Sequence, residues 1–228
     1  MKVAEIYKSV QGEGFLTGAA SAFVRASGCN LRCRYCDTPY ASWQPEGDDL
    51  SVDEILARVS ALECDHVVVT GGEPMLFAEL IPLTAELRKR GLHVTIETAG
   101  TLYLPLDCDL MSISPKLANS TPNIEQVPRW RTRHERTRYA PEVIRRLVAE
   151  YPYQVKFVIQ SLVDCLEAEE YLQEFPEIDH GRVMFMPEAT TCEALARQTA
   201  WLEPYCKQHG WHFCPRKHIE WFGLVRGT

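Results

Sequence analysis

No apolar stretch of this sequence approaches the roughly 20 residues that a membrane-crossing helix needs, so no membrane span is expected. The opening residues, Met1 to Lys8, lack the apolar segment of a secretory signal. Both absences point to the cytoplasm, where thiols stay reduced. The nine cysteines then read as metal or cluster ligands plus free thiols rather than as a disulfide framework. Excess positive charge is missing too: a net charge of −7 argues against nonspecific nucleic-acid binding. One local exception is the run Arg129, Arg131, Arg133, Arg136 and Arg138. It reads as a solvated loop or helix face, with a lid, a dimer contact or an anion site as alternatives. Neither an internal repeat nor a low-complexity linker breaks the chain. Its 228 residues suffice for one sizeable core, so a single domain spanning 1–228 is expected.

What is present is an alternation of short apolar strands with helices, the pattern of a parallel α/β sheet. Strands are expected at 21–26, 66–70, 93–98, 110–114, 154–160 and 182–186. The segment His66 to Thr70 is nearly all apolar, as a strand buried on both faces requires. Ser51 with Glu54 forms a capping box ahead of the helical apolar spacing Val52, Ile55, Leu56, Val59 and Leu62. Further helices are expected at 76–90, 142–150, 164–174 and 191–208, the last despite Pro204. Residues 211–222 read as a final extended segment. Six strands are too few for a full eight-fold barrel. A smaller, incomplete barrel or an open sheet remains.

Three cysteines, Cys29, Cys33 and Cys36, stand in a Cys-x3-Cys-x2-Cys loop after the first of these strands. Three thiolates can hold three irons of a [4Fe–4S] cluster and leave the fourth iron open to a ligand. A zinc site or three buried thiols would be the plain alternatives, although structural zinc normally takes four protein ligands. Thr70-Gly71-Gly72-Glu73-Pro74 follows a strand, where parallel folds place their active sites. Two glycines let the backbone approach a ligand, and Glu73 can accept from an ammonium group. Glu97 to Thr101 and Ser112 to Lys116 end two further strands. Ahead of the cysteines, Gln11 and Glu13 alternate with Gly12 and Gly14. An amide beside a carboxylate can read the donor edge of a guanine-like ring, and the fork of Arg25 matches a substrate carboxylate.

Taken in order from Gln11 to Lys116, these motifs resemble the 7-carboxy-7-deazaguanine synthases of the radical S-adenosylmethionine (SAM) superfamily. The resemblance covers about half the chain and implies an incomplete (β/α)6 barrel. It also implies a radical enzyme that contracts the ring of 6-carboxy-5,6,7,8-tetrahydropterin with loss of ammonia, in the service of queuosine and other 7-deazapurines. Residue by residue, Cys29, Cys33 and Cys36 would hold the [4Fe–4S] cluster. Tyr35, Asp37, Gly72, Glu73, Gly100, Ser114, Pro115 and Lys116 would contact SAM. Val10, Gln11, Gly12, Glu13, Arg25 and Thr98 would contact the pterin, and Thr38 would bind Mg²⁺. No residue is needed as a general base, because the 5′-deoxyadenosyl radical is the reagent. A flavodoxin or ferredoxin type reductant and a homodimer are implied as well.

The second half matches less closely. Met186 stands where many family members place the Gln of a Gln-Pro pair, which leaves any amide contact to SAM there open. His218 and the Thr228 end are candidates to reach the site. Cys206, His209, His212, Cys214 and His218 are dense enough to suggest zinc, but packed thiols and partly exposed imidazoles are preferred. His212, Cys214 and His218 would share one strand face. Cys64, Cys108, Cys165 and Cys192 read as structural thiols. Two other functions compete: an activase of a glycyl-radical enzyme, which needs no pterin pocket, and an iron–sulfur electron carrier, which needs no SAM pocket.

Overall fold

The computed structural model describes residues 1–123, 125 and 127–228. In chain order the elements are β1 (Lys2–Val10), β2 (Ala20–Ala26), α1 (Pro39–Ser42), β3 (Asp48–Asp49), α2 (Val52–Ser60), β4 (His66–Gly71) and α3 (Leu80–Lys89). Then follow β5 (His93–Thr98), β6 (Leu110–Ile113), α4 (Pro128–Arg138), α5 (Pro141–Glu150), β7 (Tyr153–Ile159) and α6 (Leu162–Glu174). The last are β8 (Val183–Pro187), α7 (Cys192–His209), β9 (His212–Phe213) and α8 (Lys217–Phe222).

One sheet runs β3-β1-β2-β4-β5-β6-β7-β8-β9. The six strands expected from the sequence are β2, β4, β5, β6, β7 and β8, which run parallel, and β9 extends the parallel run to seven. The sheet does not close, as an incomplete barrel requires. Helices connect most parallel neighbours, but the β5–β6 connection has none.

The two faces of the sheet differ. Ala22, Val24, Val67, Val69, Val94, Ile96, Met111, Ile113, Val155 and Phe157 point one way, into a core shared with α2, α3, α5, α6 and α7. Each Val, Ile, Met or Phe side chain buried there stabilises by about 1.5–3 kcal/mol. The alternate residues Arg25, Thr70, Glu97, Ser112 and Lys156 line a cavity on the other face. Period-2 alternation along parallel strands therefore builds an apolar floor on one side and a polar site on the other.

Several expectations are corrected here. Residues 211–222 are not one extended segment: β9 lasts two residues, Pro215 ends it, and α8 follows. His212 and Cys214 consequently do not share a strand face with His218. The helix expected at 76–90 is a 3₁₀ turn, Pro74–Leu76, followed by α3. β1 was not expected at all. Its apolar residues Val3, Ile6, Tyr7 and Val10 have helical spacing, and a register shift between Val3 and Glu5 breaks the strand period. The arginine run is the helix α4. Capping of α2 by Ser51 and Glu54 is as expected.

Candidate active site

The polar face opens into a cavity of about 610 Å³. That is within the usual range for a small-molecule site. Cys29, Cys33 and Cys36 line it, and no other cysteine among the described residues does. All three are free thiols, and burial pushes Cys29 and Cys33 up to about 12. Their loop is held from several sides. The Arg32 amide donates to His134 Nδ1 at 3.2 Å, the Arg34 amide to the Ser120 carbonyl at 2.9 Å, and Trp43 Nε1 to the Cys33 carbonyl at 3.1 Å. Arg32 Nη1 donates to the Cys29 carbonyl at 2.7 Å while its guanidinium stacks 3.9 Å from the Trp130 ring.

This donor set fits a cluster. Soft thiolates select iron–sulfur or zinc. Among the described residues no three His, Cys, Asp or Glu side chains converge on a single-ion site. Three thiols lining one roomy cavity suit a larger inorganic unit with one ligand position left open. The suspected zinc group is scattered. Cys206 is in the core, His209 stacks on Tyr205, and Cys214 Sγ accepts from the Gly14 amide.

The Gly71-Gly72 turn packs directly on this loop. The Glu73 amide donates to the Gly28 carbonyl at 2.8 Å, and a Cβ on Gly72 would meet that carbonyl oxygen at 2.2 Å. Ser114 and Lys116 line the cavity and bond each other at 2.7 Å. Three expected cofactor contacts do not line the cavity: Glu73, Gly100 and Pro115. Glu73 is fully buried and accepts from Thr98 Oγ1 at 2.9 Å, the Ala99 amide at 2.9 Å and the Met75 amide at 3.1 Å. Burial raises its carboxyl, and these donors oppose the rise. Its side chain ties one strand-end turn to the next. Gly100 has φ +70° and packs against the core, where a Cβ would lie 2.4 Å from Ile144. Tyr35, Asp37 and Gly72 line the cavity, as does Met186, which packs with Val158 and Tyr35.

Val10, Gln11, Gly12, Glu13, Arg25 and Thr98 are all on the cavity wall as well. Gln11 Nε2 donates to Glu97 Oε1 at 3.2 Å, and its own Oε1 accepts from the Glu13 amide. Glu13 meets Lys156 Nζ at 2.8 Å and Arg216 Nε at 3.2 Å, with His218 Nε2 at 3.9 Å. Burial alone would raise the Glu13 carboxyl. Lys156, Arg216 and His218 outweigh it and hold the group well below the usual carboxylate range. Arg25 donates to Glu5 at 2.6 Å and to the Tyr7 hydroxyl at 2.7 Å, leaving Nη1 without a bonded partner among the described residues. Thr98 spends its hydroxyl on Glu73 and the Gly100 amide. Thr38 lines the cavity with its Oγ1 3.8 Å from Cys36 Sγ. His218 and residues 223–228 also line it.

Sequence reasoning missed Lys156, Arg216, Glu5 and Tyr40 as cavity residues, and it placed Glu97 at a strand end without giving it a contact. A signal existed for Lys156, the lone charge of β7, flanked by Val155 and Phe157.

A parallel sheet with a three-thiol loop at its strand ends defines the radical SAM class, and the family model described as "Radical SAM superfamily" matches residues 23–155. The chain is 43% identical over 227 residues to the 7-carboxy-7-deazaguanine synthase of Rhodopirellula baltica, covering 99% of this chain and 88% of the relative. The protein of that name from Halobacterium salinarum is 40% identical, with 96% and 89% covered. The chain therefore belongs to the 7-carboxy-7-deazaguanine synthase family. The crystal structure of QueE from Escherichia coli shares the fold, with a TM-score of 0.67 at 21% identity, covering 94% of this chain and 92% of that one.

Proposed function

We propose that the enzyme converts 6-carboxy-5,6,7,8-tetrahydropterin to 7-carboxy-7-deazaguanine with loss of ammonia, a ring contraction of 7-deazapurine (queuosine) biosynthesis. One observation carries the reading. A single cavity is lined both by the three thiols and by the Gln11–Glu13–Glu97–Lys156 cluster. When bound, a reduced [4Fe–4S] cluster with SAM supplies a 5′-deoxyadenosyl radical. The rest falls to the chain's own residues, which bind, orient and exclude water.

In this reading Cys29, Cys33 and Cys36 hold the cluster. Tyr35, Asp37, Gly72, Ser114 and Lys116 surround SAM, while Glu73 and Gly100 shape its pocket from behind. Glu13, kept ionised by its cations, accepts from the N–H groups of the aminopyrimidinone edge. Val10, Gln11, Gly12 and Thr98 flank that ring, and the unbonded Arg25 Nη1 turns toward the substrate carboxylate. Arg226 holds residues 223–228 over the cavity by pairing with Glu5 at 3.3 Å and Glu46 at 3.0 Å and stacking on Tyr40. That cover keeps water from a reactive radical.

The proposal includes Mg²⁺ held by Thr38 together with substrate oxygens, since Mg²⁺ favours sites completed by ligand and water. It includes a flavodoxin or ferredoxin type reductant, a homodimer, and a cytoplasmic setting. Nine free cysteines accord with a reducing compartment, and no helix among the described residues is long and apolar enough to cross a membrane. The test is anaerobic. The reconstituted, reduced enzyme is given SAM, Mg²⁺ and the pterin, and product is followed by mass-resolved chromatography. Many product molecules per SAM are expected. SAM cleavage without this product would overturn the substrate and favour an activase.

A further inference from the structure

Arg216 stands just ahead of α8 and is only 6% exposed. Each of its three guanidinium nitrogens has a different anchor. Nε donates to Glu13 Oε1 at 3.2 Å, Nη2 to Asp37 Oδ2 at 2.5 Å, and Nη1 to the Ala189 carbonyl at 2.6 Å. These anchors come from three places in the chain: the β1–β2 loop, the residue after Cys36, and the segment beyond β8. Among the described residues no other side chain bonds both Glu13 and Asp37. The neighbouring Lys217 amide adds a bond to the Gly12 carbonyl at 2.9 Å.

A buried cation in two ion pairs is a costly way to gain stability, because apolar packing serves as well or better. The attested use of such groups is to fix registry. Here the two partners belong to the two halves of one site, the loop proposed to hold substrate and the loop proposed to hold the cluster and SAM. Hydrogen transfer between two bound molecules depends steeply on their approach. A misplacement of about 1 Å costs roughly 100-fold. A planar guanidinium fixes the angle between its anchors, which a lysine ammonium cannot do.

We infer that Arg216 is a positioning residue that locks the substrate loop to the cluster loop and so sets the distance between the reacting carbon of the substrate and the cofactor. This rests on the function proposed above.

Arg216→Lys keeps the charge and removes the fork. In the reconstituted enzyme, two products are measured together: 7-carboxy-7-deazaguanine and released 5′-deoxyadenosine. Registry predicts that product formation falls about 10- to 100-fold while SAM cleavage falls far less, so the ratio of 5′-deoxyadenosine to product rises at least about tenfold. A merely structural role would lower both together, with the ratio and the cluster content per surviving molecule unchanged. That result would overturn the proposal.

A second measurement needs neither the cluster nor turnover. Hydrogen exchange on the full cluster-free chain is expected to rise at least about tenfold in both 11–14 and 36–38 in the Lys variant, with β4 and β5 unchanged. Unchanged exchange in either loop would overturn the clamp. A wild-type enzyme that makes no product would sink the substrate assignment, while the exchange result would still decide the clamp.

Discussion

Lys156 Nζ lies 2.8 Å from Glu13 Oε2 across 143 residues of sequence, and 3.6 Å from Glu97 Oε1. Its side chain is 4% exposed. One strand-centre cation thus serves two carboxylates from two other elements. Burial would lower the Lys156 ammonium, but Glu13 and Glu97 raise it further than burial depresses it. Removing one partner from such a cluster leaves uncompensated buried charge, at about 3–5 kcal/mol. Lys156→Met is therefore expected to lower stability by about that amount in urea unfolding. It should also raise the KM for the pterin at least about tenfold. Adding Glu13→Gln should recover part of the stability and none of the binding.

The approach of the Gly72 turn to the cluster loop gives a steric prediction. A Cβ there would meet the Gly28 carbonyl oxygen at 2.2 Å and the Ala41 carbonyl oxygen at 2.5 Å. Backbone atoms cannot swing aside as a side chain can. Gly72→Ala should push the turn off the loop and cut both iron content after reconstitution and turnover, the latter at least about 100-fold, since small displacements are costly at a reacting site. Gly91→Ala is the contrast. That glycine has φ +78° and nothing within 4 Å, so only a backbone cost of about 1 kcal/mol is expected, with activity unchanged.

How much of this was legible in the sequence depends on which physics placed each residue. The parallel strands were readable because an unbroken apolar run as short as Val67 to Val69, closed by two glycines, suits a strand covered on both faces. The cysteine loop and the Gly71-Gly72 turn were readable because their chemistry is local. The bonds of Glu73 to the Ala99 amide and Thr98 were not legible, because an acid beside two glycines gives no hint that its side chain folds back onto them. Arg216 was missed because its meaning lies in partners 203 and 179 residues away. β1 was missed because a bulge spoils its period. α8 was missed because the even spacing of His212, Cys214 and His218 runs straight through Pro215, where the strand in fact stops.

His134 gives the cluster loop an acid sensitivity. Its Nδ1 accepts from the Arg32 amide at 3.2 Å. Ser120 Oγ donates to the Leu117 carbonyl, so His134 Nε2–H donates to Ser120 Oγ at 2.8 Å. The imidazole must therefore be neutral, and burial pushes its pKa down to about 4 from the ordinary 6.5. Between those values the unfolded chain binds more protons than the folded one. Stability from this group is then present above pH 6.5 and is lost as pH falls toward 4. A loss of about 2 kcal/mol across that window is expected in urea unfolding of the cluster-free chain. His134→Gln should flatten the window.

Thr38 tests the magnesium assignment. Removing divalent cations by chelation should lower turnover at least about tenfold, with Mg²⁺ restoring it, because the ion would order substrate oxygens. Thr38→Ala should mimic chelation and Thr38→Ser should retain most activity. Turnover indifferent to both would remove Mg²⁺ from the site.

In the proposed reaction one cavity brings the substrate's carboxylate-bearing carbon to the SAM-derived radical and returns the hydrogen afterwards. The decisive experiment supplies pterin deuterated at that carbon and re-isolates SAM after several turnovers. Deuterium is expected in the 5′ position of recovered SAM, with product formed in excess over SAM consumed. SAM recovered without deuterium, while 7-carboxy-7-deazaguanine accumulates, would contradict it.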